Sequence, residues 1–218
     1  MTRIAIMQPY FVPYAGYFRL FAQADLFVIY DCVQFTRRGY IHRNQLPDAG
    51  GKPQWLTLPL RSAPRETRID EMCLADDAPA RLTAQCRRFP SLTTLPESWA
   101  TLFAAAQGPL VPWLARSLDI TCTALGITTP MRRSSSLDLP GSLKGQERII
   151  AICERLGASA YVNAPGGRDL YDATRFSAHG ITLEFLPPYD GPKWSILHAL
   201  MTEGSAATAA RINGGDTE

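Results

Sequence analysis

Apolar residues follow two rhythms along this chain. The first run, Ile4-Ala-Ile-Met7, is short and continuous. It reads as a buried strand over 3–7 that stops at Gln8-Pro9, because proline cannot donate to a central ladder. From Tyr14 to Ala24 the pattern changes, and Tyr17, Leu20, Phe21 and Ala24 fall on one helical face. Leu26 to Tyr30 is again a continuous apolar run, of the kind parallel sheets bury on both faces. Strand, helix and strand within about 30 residues is the dimension of a βαβ unit.

The rhythm predicts further strands at 55–60 and 69–74, joined by the polar stretch 61–68. A helix is expected over 78–89. The alanine- and leucine-rich stretch 96–125 is helical too, broken near Gly108-Pro109 and Pro112 and stopped by Gly126. Then the alternation resumes: a strand at 127–132, a helix at 145–156 that buries Ile149, Ile150 and Ile152, and a strand at 158–162. A short helix at 169–179, a strand at 181–186 and a last apolar helix at 194–201 complete the pattern. Alternating strands and helices predict an α/β protein with a mainly parallel, doubly wound, Rossmann-like sheet. Residues 1–204 are expected to form one domain with a helical insertion at about 78–126, and 205–218 a frayed polar tail.

Composition narrows the functional classes. The net charge is only +2, so no global attraction to nucleic acid or anionic lipid is built in, and nucleic acid is not an expected partner. The first residues turn polar too soon for a secretory signal, and no apolar stretch approaches the ~20 residues of a membrane span, so a cytoplasmic location is expected. Five cysteines at wide spacings, with no CxxC pair, argue for free thiols and against a structural metal, and no metal is expected.

Ligands of open α/β sheets bind beyond the carboxyl ends of the strands. The residues just past each predicted strand are therefore informative. The first strand delivers Gln8 and Tyr10, then Tyr14, Gly16 and Tyr17. The second delivers Asp31, Gln34 and the cationic loop Arg37-Arg38-Gly-Tyr40-Ile-His42-Arg43-Asn44. The strand at 127–132 delivers Ser134 and Ser135 with Lys144 further on, and the strand at 158–162 Asn163, Gly166, Gly167 and Tyr171. Two phosphate-binding arrangements are possible here: Gly166-Gly167 backbone amides ahead of a helix, and the serine run with Lys144. Arg37, Arg38 and Arg43 could grip an anion. Among the three histidines, His42 is the best general-base candidate, with Asp31 beside it as the carboxylate alternative. His179 reads as a helix cap, and His198 shares a helix face with Ser195. No HExxH, GxSxG or Walker A pattern is present.

Taken together, Gln8-Pro-Tyr-Phe-Val-Pro-Tyr-Ala-Gly-Tyr-Phe18, Asp25-Leu-Phe-Val-Ile-Tyr-Asp31, Val33-Gln-Phe and Arg43-Asn44 resemble the opening signature of the WbqC-like protein family. Trp55-Leu-Thr-Leu-Pro, Ala160-Tyr-Val-Asn-Ala-Pro-Gly-Gly-Arg-Asp-Leu-Tyr171 and Trp194-Ser-Ile-Leu-His-Ala-Leu match later segments in the same order. His198 departs from an aspartate usual in that family, and His42 from a nearby asparagine. The resemblance implies a role in surface-polysaccharide (O-antigen) or specialised-metabolite biosynthesis, on amino sugars or other small amines. The opening layout is also similar to class I nucleotidyltransferases, with Tyr14-Ala-Gly16-Tyr17 standing where those enzymes carry HxGH. Tyrosine donates a hydrogen bond but brings no positive charge to a transferred phosphate.

Three functions therefore stand as expectations. One is a transferase placing an acyl or aminoacyl group on the amine of a small molecule, with Asp31 or His42 taking the proton and Asn163, Gly166 and Gly167 steadying the oxyanion. The second is a noncatalytic protein that binds a nucleotide or sugar nucleotide. The third is a nucleotidyltransferase-like enzyme. The partner in each case is a small molecule, nucleotide-linked or carrier-linked, and the cofactor is unknown.

Overall fold

The computed structural model describes residues 2–214. Strand β1 (Arg3–Met7) is central in a five-stranded sheet and pairs in parallel with β2 (Leu26–Ile29) on one side and β6 (Ala160–Asn163) on the other. Beyond β2 lies β5 (Met131–Arg133), and beyond β6 lies β7 (Thr182–Phe185), both parallel. The spatial order is β5-β2-β1-β6-β7. The chain thus works outward from β1 through β2 to β5, then returns to β1's other side for β6 and β7. The order reverses between β1 and β6.

Period-2 alternation explains how so short a sheet is covered twice. Ala5, Phe27, Ile29 and Val162 point to one face and join a core with α1 (Ala15–Ala22), α3 (Glu97–Ala104) and α4 (Leu110–Ala124). Ile4, Ile6, Val28 and Tyr161 point to the other, where α5 (Gly145–Arg155) and α6 (Ala173–Ala178) bury Ile149, Ile150, Ile152 and Phe176. The α/β expectation holds, with helices on both faces. Helix α2 (Ala78–Cys86), with Leu82 and Cys86 buried, shares the first core with Trp99, Phe103 and Leu114, so the stretch read as an insertion helps cover that face.

Three local expectations are corrected. Residues 43–47, read as loop, form β3 (Arg43–Pro47), which pairs antiparallel with β4 (Pro53–Thr57) in a separate two-stranded sheet. Its alternation was hidden by polar residues, of which Asn44 proves buried along with Leu46. The expected strand at 69–74 is a single 3-10 turn, Ile69–Glu71, followed by isolated bridges Leu60–Leu74 and Cys73–Pro109. The expected helix at 169–179 divides into a 3-10 segment Pro165–Leu170 and α6, which starts on the Asp172 side chain accepting from the Thr174 N–H at 2.9 Å.

The last helical stretch is also longer than the pattern suggests. After α7 (Ile196–Thr202), the chain turns at Gly204 (φ 83°) and forms α8 (Gly204–Asn213) against α1 and α7. Alanine-rich sequence favours a helix, and Ile212 anchors it in the core, so 205–213 is not frayed. The expected fray at 215–218 lies outside the described residues. No helix among the described residues is long and apolar enough to cross a membrane.

Candidate functional site

A cavity of about 490 Å³ opens where the strand order reverses, beyond the carboxyl ends of β1 and β6. Parallel pairing puts those ends side by side, since Ala5 is level with Val162 and each strand runs on only a residue or two further. Gln8 leaves β1 into the cavity, Tyr30 closes β2, and Tyr161 and Asn163 come from β6. Tyr10 and Tyr14 reach it from the loop after β1, and Gly16, Tyr17 and Leu20 from α1. The turn after β6 gives Gly166, Gly167, Leu170 and Tyr171, with Leu170 exposed at the rim. Nine residues expected from sequence therefore meet here: Gln8, Tyr10, Tyr14, Gly16, Tyr17, Asn163, Gly166, Gly167 and Tyr171. Tyr30 and Tyr161 were missed; the signal for Tyr30 was its place directly after the apolar run of β2, whereas Tyr161, inside β6, carried none.

The walls are held in place by contacts within the chain. The Tyr17 hydroxyl donates to the Gln8 carbonyl oxygen at 2.7 Å, and its ring lies 5.4 Å from that of Tyr10. Tyr161 and Tyr171 meet edge to face at 5.8 Å. The backbone N–H of Ala164 donates to Asn163 Oδ1 at 2.8 Å, which fixes the orientation of that side-chain amide. Its Nδ2 then lies over Gly167, where any Cβ would overlap it and come within 3.1 Å of Asn163 Cγ. Gly167 is needed for this close approach. A Cβ at Gly166 would meet nothing within 4 Å, so that backbone faces open space.

The electrostatic character is uniform. None of the lining residues is an acid, a lysine, an arginine or a histidine. Burial is the first cause of raised pKa at Tyr10, Tyr14, Tyr17, Tyr30 and Tyr161, with neighbouring tyrosines adding at Tyr10, Tyr17 and Tyr161. All five stay neutral phenols at physiological pH. Their hydroxyls, the Gln8 amide and Asn163 Nδ2 make this a cavity of neutral hydrogen-bonding groups on aromatic walls. No group of three or more histidine, cysteine or acidic side chains among the described residues could hold a metal ion.

The remaining expected site residues have other tasks. Asp31 is fully buried, and its carboxylate accepts from Arg133 Nε (2.6 Å), Ser134 Oγ (3.0 Å), Ser135 N (2.9 Å) and Ser135 Oγ (2.8 Å). With its lone pairs occupied it ties β2 to β5; it does not line the cavity, and neither Ser134 nor Ser135 does. Asn44 and Ser195 are buried and both donate to the Val12 carbonyl. Arg43 Nη2 donates to Arg38 O at 2.9 Å while its guanidinium sits 4.2 Å over Trp55, so it pins its own loop. Gln34 Nε2 donates to Arg65 O. Arg38 and Lys144 are exposed and outside the cavity. His42 lines a separate hollow with Arg37 and Arg61; burial first, then Arg43 and Arg37, push its pKa down to about 4.

The model of the WbqC-like protein family matches residues 8–205, which spans both ends of the cavity wall. The chain belongs to the WbqC-like protein family. An uncharacterized protein of Mycobacterium tuberculosis is 30% identical over 229 aligned residues, covering 95% of this chain and 96% of that one. No solved structure matches. The matched segments include Gln8 through Tyr17 and Asn163 through Tyr171, so the family region contains the whole cavity lining from Gln8 onward.

Proposed function

We propose that this WbqC-like protein binds the sugar or nucleoside portion of a small metabolite in the switch-point cavity. The observation that carries the reading is the lining itself: aromatic walls with neutral donors and acceptors, at the place where open α/β sheets hold ligands. Tyrosine faces can stack on a base or on the C–H face of a sugar, while the Gln8 and Asn163 amides supply direction. Phosphates or a carrier would lie outside, in water, because nothing in the lining neutralises them. Nucleotidyl transfer by the chain is disfavoured on the same ground, since Tyr14 and Tyr17 bring no charge to a phosphorus centre.

A transferase reading stands second and rests on a separate observation. Asn163 and Gly166 line the same cavity, and the Gly166 N–H, at the start of a 3-10 segment, has no helical acceptor. Two such donors can steady the oxyanion of acyl transfer to an amine, in the polysaccharide or specialised-metabolite setting expected of the family. Asp31 and His42 are not placed to take the proton, so the amine would have to arrive neutral and catalysis would rest on positioning. Backbone-amide NMR of the labelled protein, titrated with nucleosides, sugars and sugar nucleotides, tests the binding reading: shifts should centre on Gly166, Gly167 and Gln8. Shifts confined to other surfaces would sink it. Mass-spectrometric detection of an N-acylated product from an acyl thioester and an amino sugar tests the second.

A further inference from the structure

The cavity's neutrality and one unpartnered donor together specify what enters it. Asn163 is 4% exposed. Its Oδ1 is already engaged by the Ala164 N–H, so the side chain offers only Nδ2 to the cavity, and no hydrogen bond within the described residues satisfies that donor. That donor faces the cavity water in the free protein, and a ligand that displaces the water must replace its acceptor, so a ligand atom that accepts there is selected over one that does not. Across the mouth of β1, the Gln8 side-chain amide also makes no hydrogen bond to the described residues and can turn either end inward.

We propose that the group bound beside Asn163 is a neutral amide, whose carbonyl oxygen accepts from Asn163 Nδ2 and whose N–H or flanking polar atom meets Gln8. This rests on the binding reading above and names its ligand class. A protonated amine fails on two counts: it presents only donors to a donor, and it buries a charge with no carboxylate in the lining to meet it. A phosphate fails because no cation lines the cavity. Two sources supply the amide: the acylamino substituent of an N-acylated sugar, or the lactam edge of a nucleobase. In the sugar case the reaction that supplies the ligand is N-acylation of an amine, so this protein acts on or carries the product of that step.

The test uses the full chain and four probes: N-acetylglucosamine, glucosamine at mildly acidic pH, uridine and inorganic phosphate. Binding is followed through the amide signals of Gly166 and Gly167. One of the amide-bearing probes should bind at least about tenfold more tightly than both glucosamine and phosphate. Which of the two binds distinguishes sugar from nucleobase. Asn163→Asp keeps an acceptor for the Ala164 N–H and should remove the preference for amides; if it fails to fold, the comparison of probes on the unaltered protein still decides. Binding of glucosamine or phosphate at these signals as tight as that of the better amide-bearing probe overturns the amide assignment and leaves the cavity reading standing. Binding of the probes elsewhere, with these signals still, overturns both.

Discussion

Asn44 Nδ2 lies 2.9 Å from the carbonyl oxygen of Val12, a valine held at φ 39°. A β-branched residue in the left-handed region is strained, and the following Pro13 narrows its choices further. Asn44 also donates to Phe11 O at 3.2 Å, and Ser195 Oγ donates to the same Val12 oxygen at 2.9 Å. The loop that carries Tyr10 and Tyr14 into the cavity is thus gripped from both sides, by β3 and by the start of α7. Asn44→Ala should cost about 1–3 kcal/mol of stability, and Ser195→Ala a similar amount. Because they share one acceptor, the double variant should depart from the sum of the two in a denaturant-unfolding cycle. Additive costs would mean that the two clamps act independently.

Asp31→Asn should weaken the fold more than it alters ligand contacts. The substitution leaves Arg133 without its carboxylate and turns an acceptor toward three donors into a mixed group. Arg133 stays partly in water, so the loss is placed at about 2–3 kcal/mol, below that of a wholly buried pair. Urea unfolding measures it. An unchanged midpoint together with abolished binding would return Asp31 to the site.

These two residues show how much of the site was legible. Each follows a strand predicted from the sequence and sits in a family segment, as Gln8 and Asn163 do, so sequence position could not separate them. The difference lies in partners distant along the chain: Ser134 and Ser135 for Asp31, Val12 for Asn44. The strand order that creates the cavity was equally hidden, because apolar runs announce strands but not their neighbours. β3 escaped notice because its inward positions are Asn44 and Leu46. What could be read was the continuous apolar runs that build β1, β2, β6 and β7, and with them the ends that Gln8, Tyr30 and Asn163 occupy.

Acid should destabilise the protein through His42. Its pKa is lowered to about 4 by burial, Arg43 and Arg37, against an ordinary value of 6.5. The unfolded chain binds a proton that the native state refuses between those values. Stability therefore falls as pH drops from about 6.5 toward 4, and this contribution is fully present above 6.5. His42→Gln should flatten the dependence of the melting temperature on pH across that window. An identical slope in the variant would assign the acid sensitivity to other groups.

Thiol reactivity should divide the cysteines two ways. Burial pushes Cys86 up to about 11 and Cys122 and Cys153 to about 12, and all three are enclosed. Cys32 and Cys73 are partly exposed. A thiolate-specific reagent at neutral pH should modify Cys32 and Cys73 in the native protein, and the other three only on unfolding. Peptide mapping of early label in any of the buried three would contradict the packing described.

Gly16→Ala tests whether the aromatic wall at the start of α1 shapes the cavity. A Cβ there would come within 2.6 Å of Tyr189 Cγ and overlap the Tyr14 ring as well. The two rings are 5.6 Å apart and close over the glycine. The backbone before Tyr189 is not free to retreat, because buried Arg19 donates from Nη1 to Pro187 O at 2.9 Å and to Pro188 O at 3.3 Å. The half-buried Tyr14 ring is the part that can move, and Tyr14 lines the cavity. Alanine's better helix propensity offsets only part of the strain, by no more than ~1 kcal/mol, so the melting temperature should fall modestly. Ligand affinity should drop about tenfold as the wall shifts. Pairing Gly16→Ala with Tyr189→Ala removes one of the two rings, leaves room for that of Tyr14, and should restore most of the binding. If affinity stays low in the double variant, the ligand itself approaches Gly16, and the role of the glycine is contact with the ligand rather than room for Tyr14 and Tyr189.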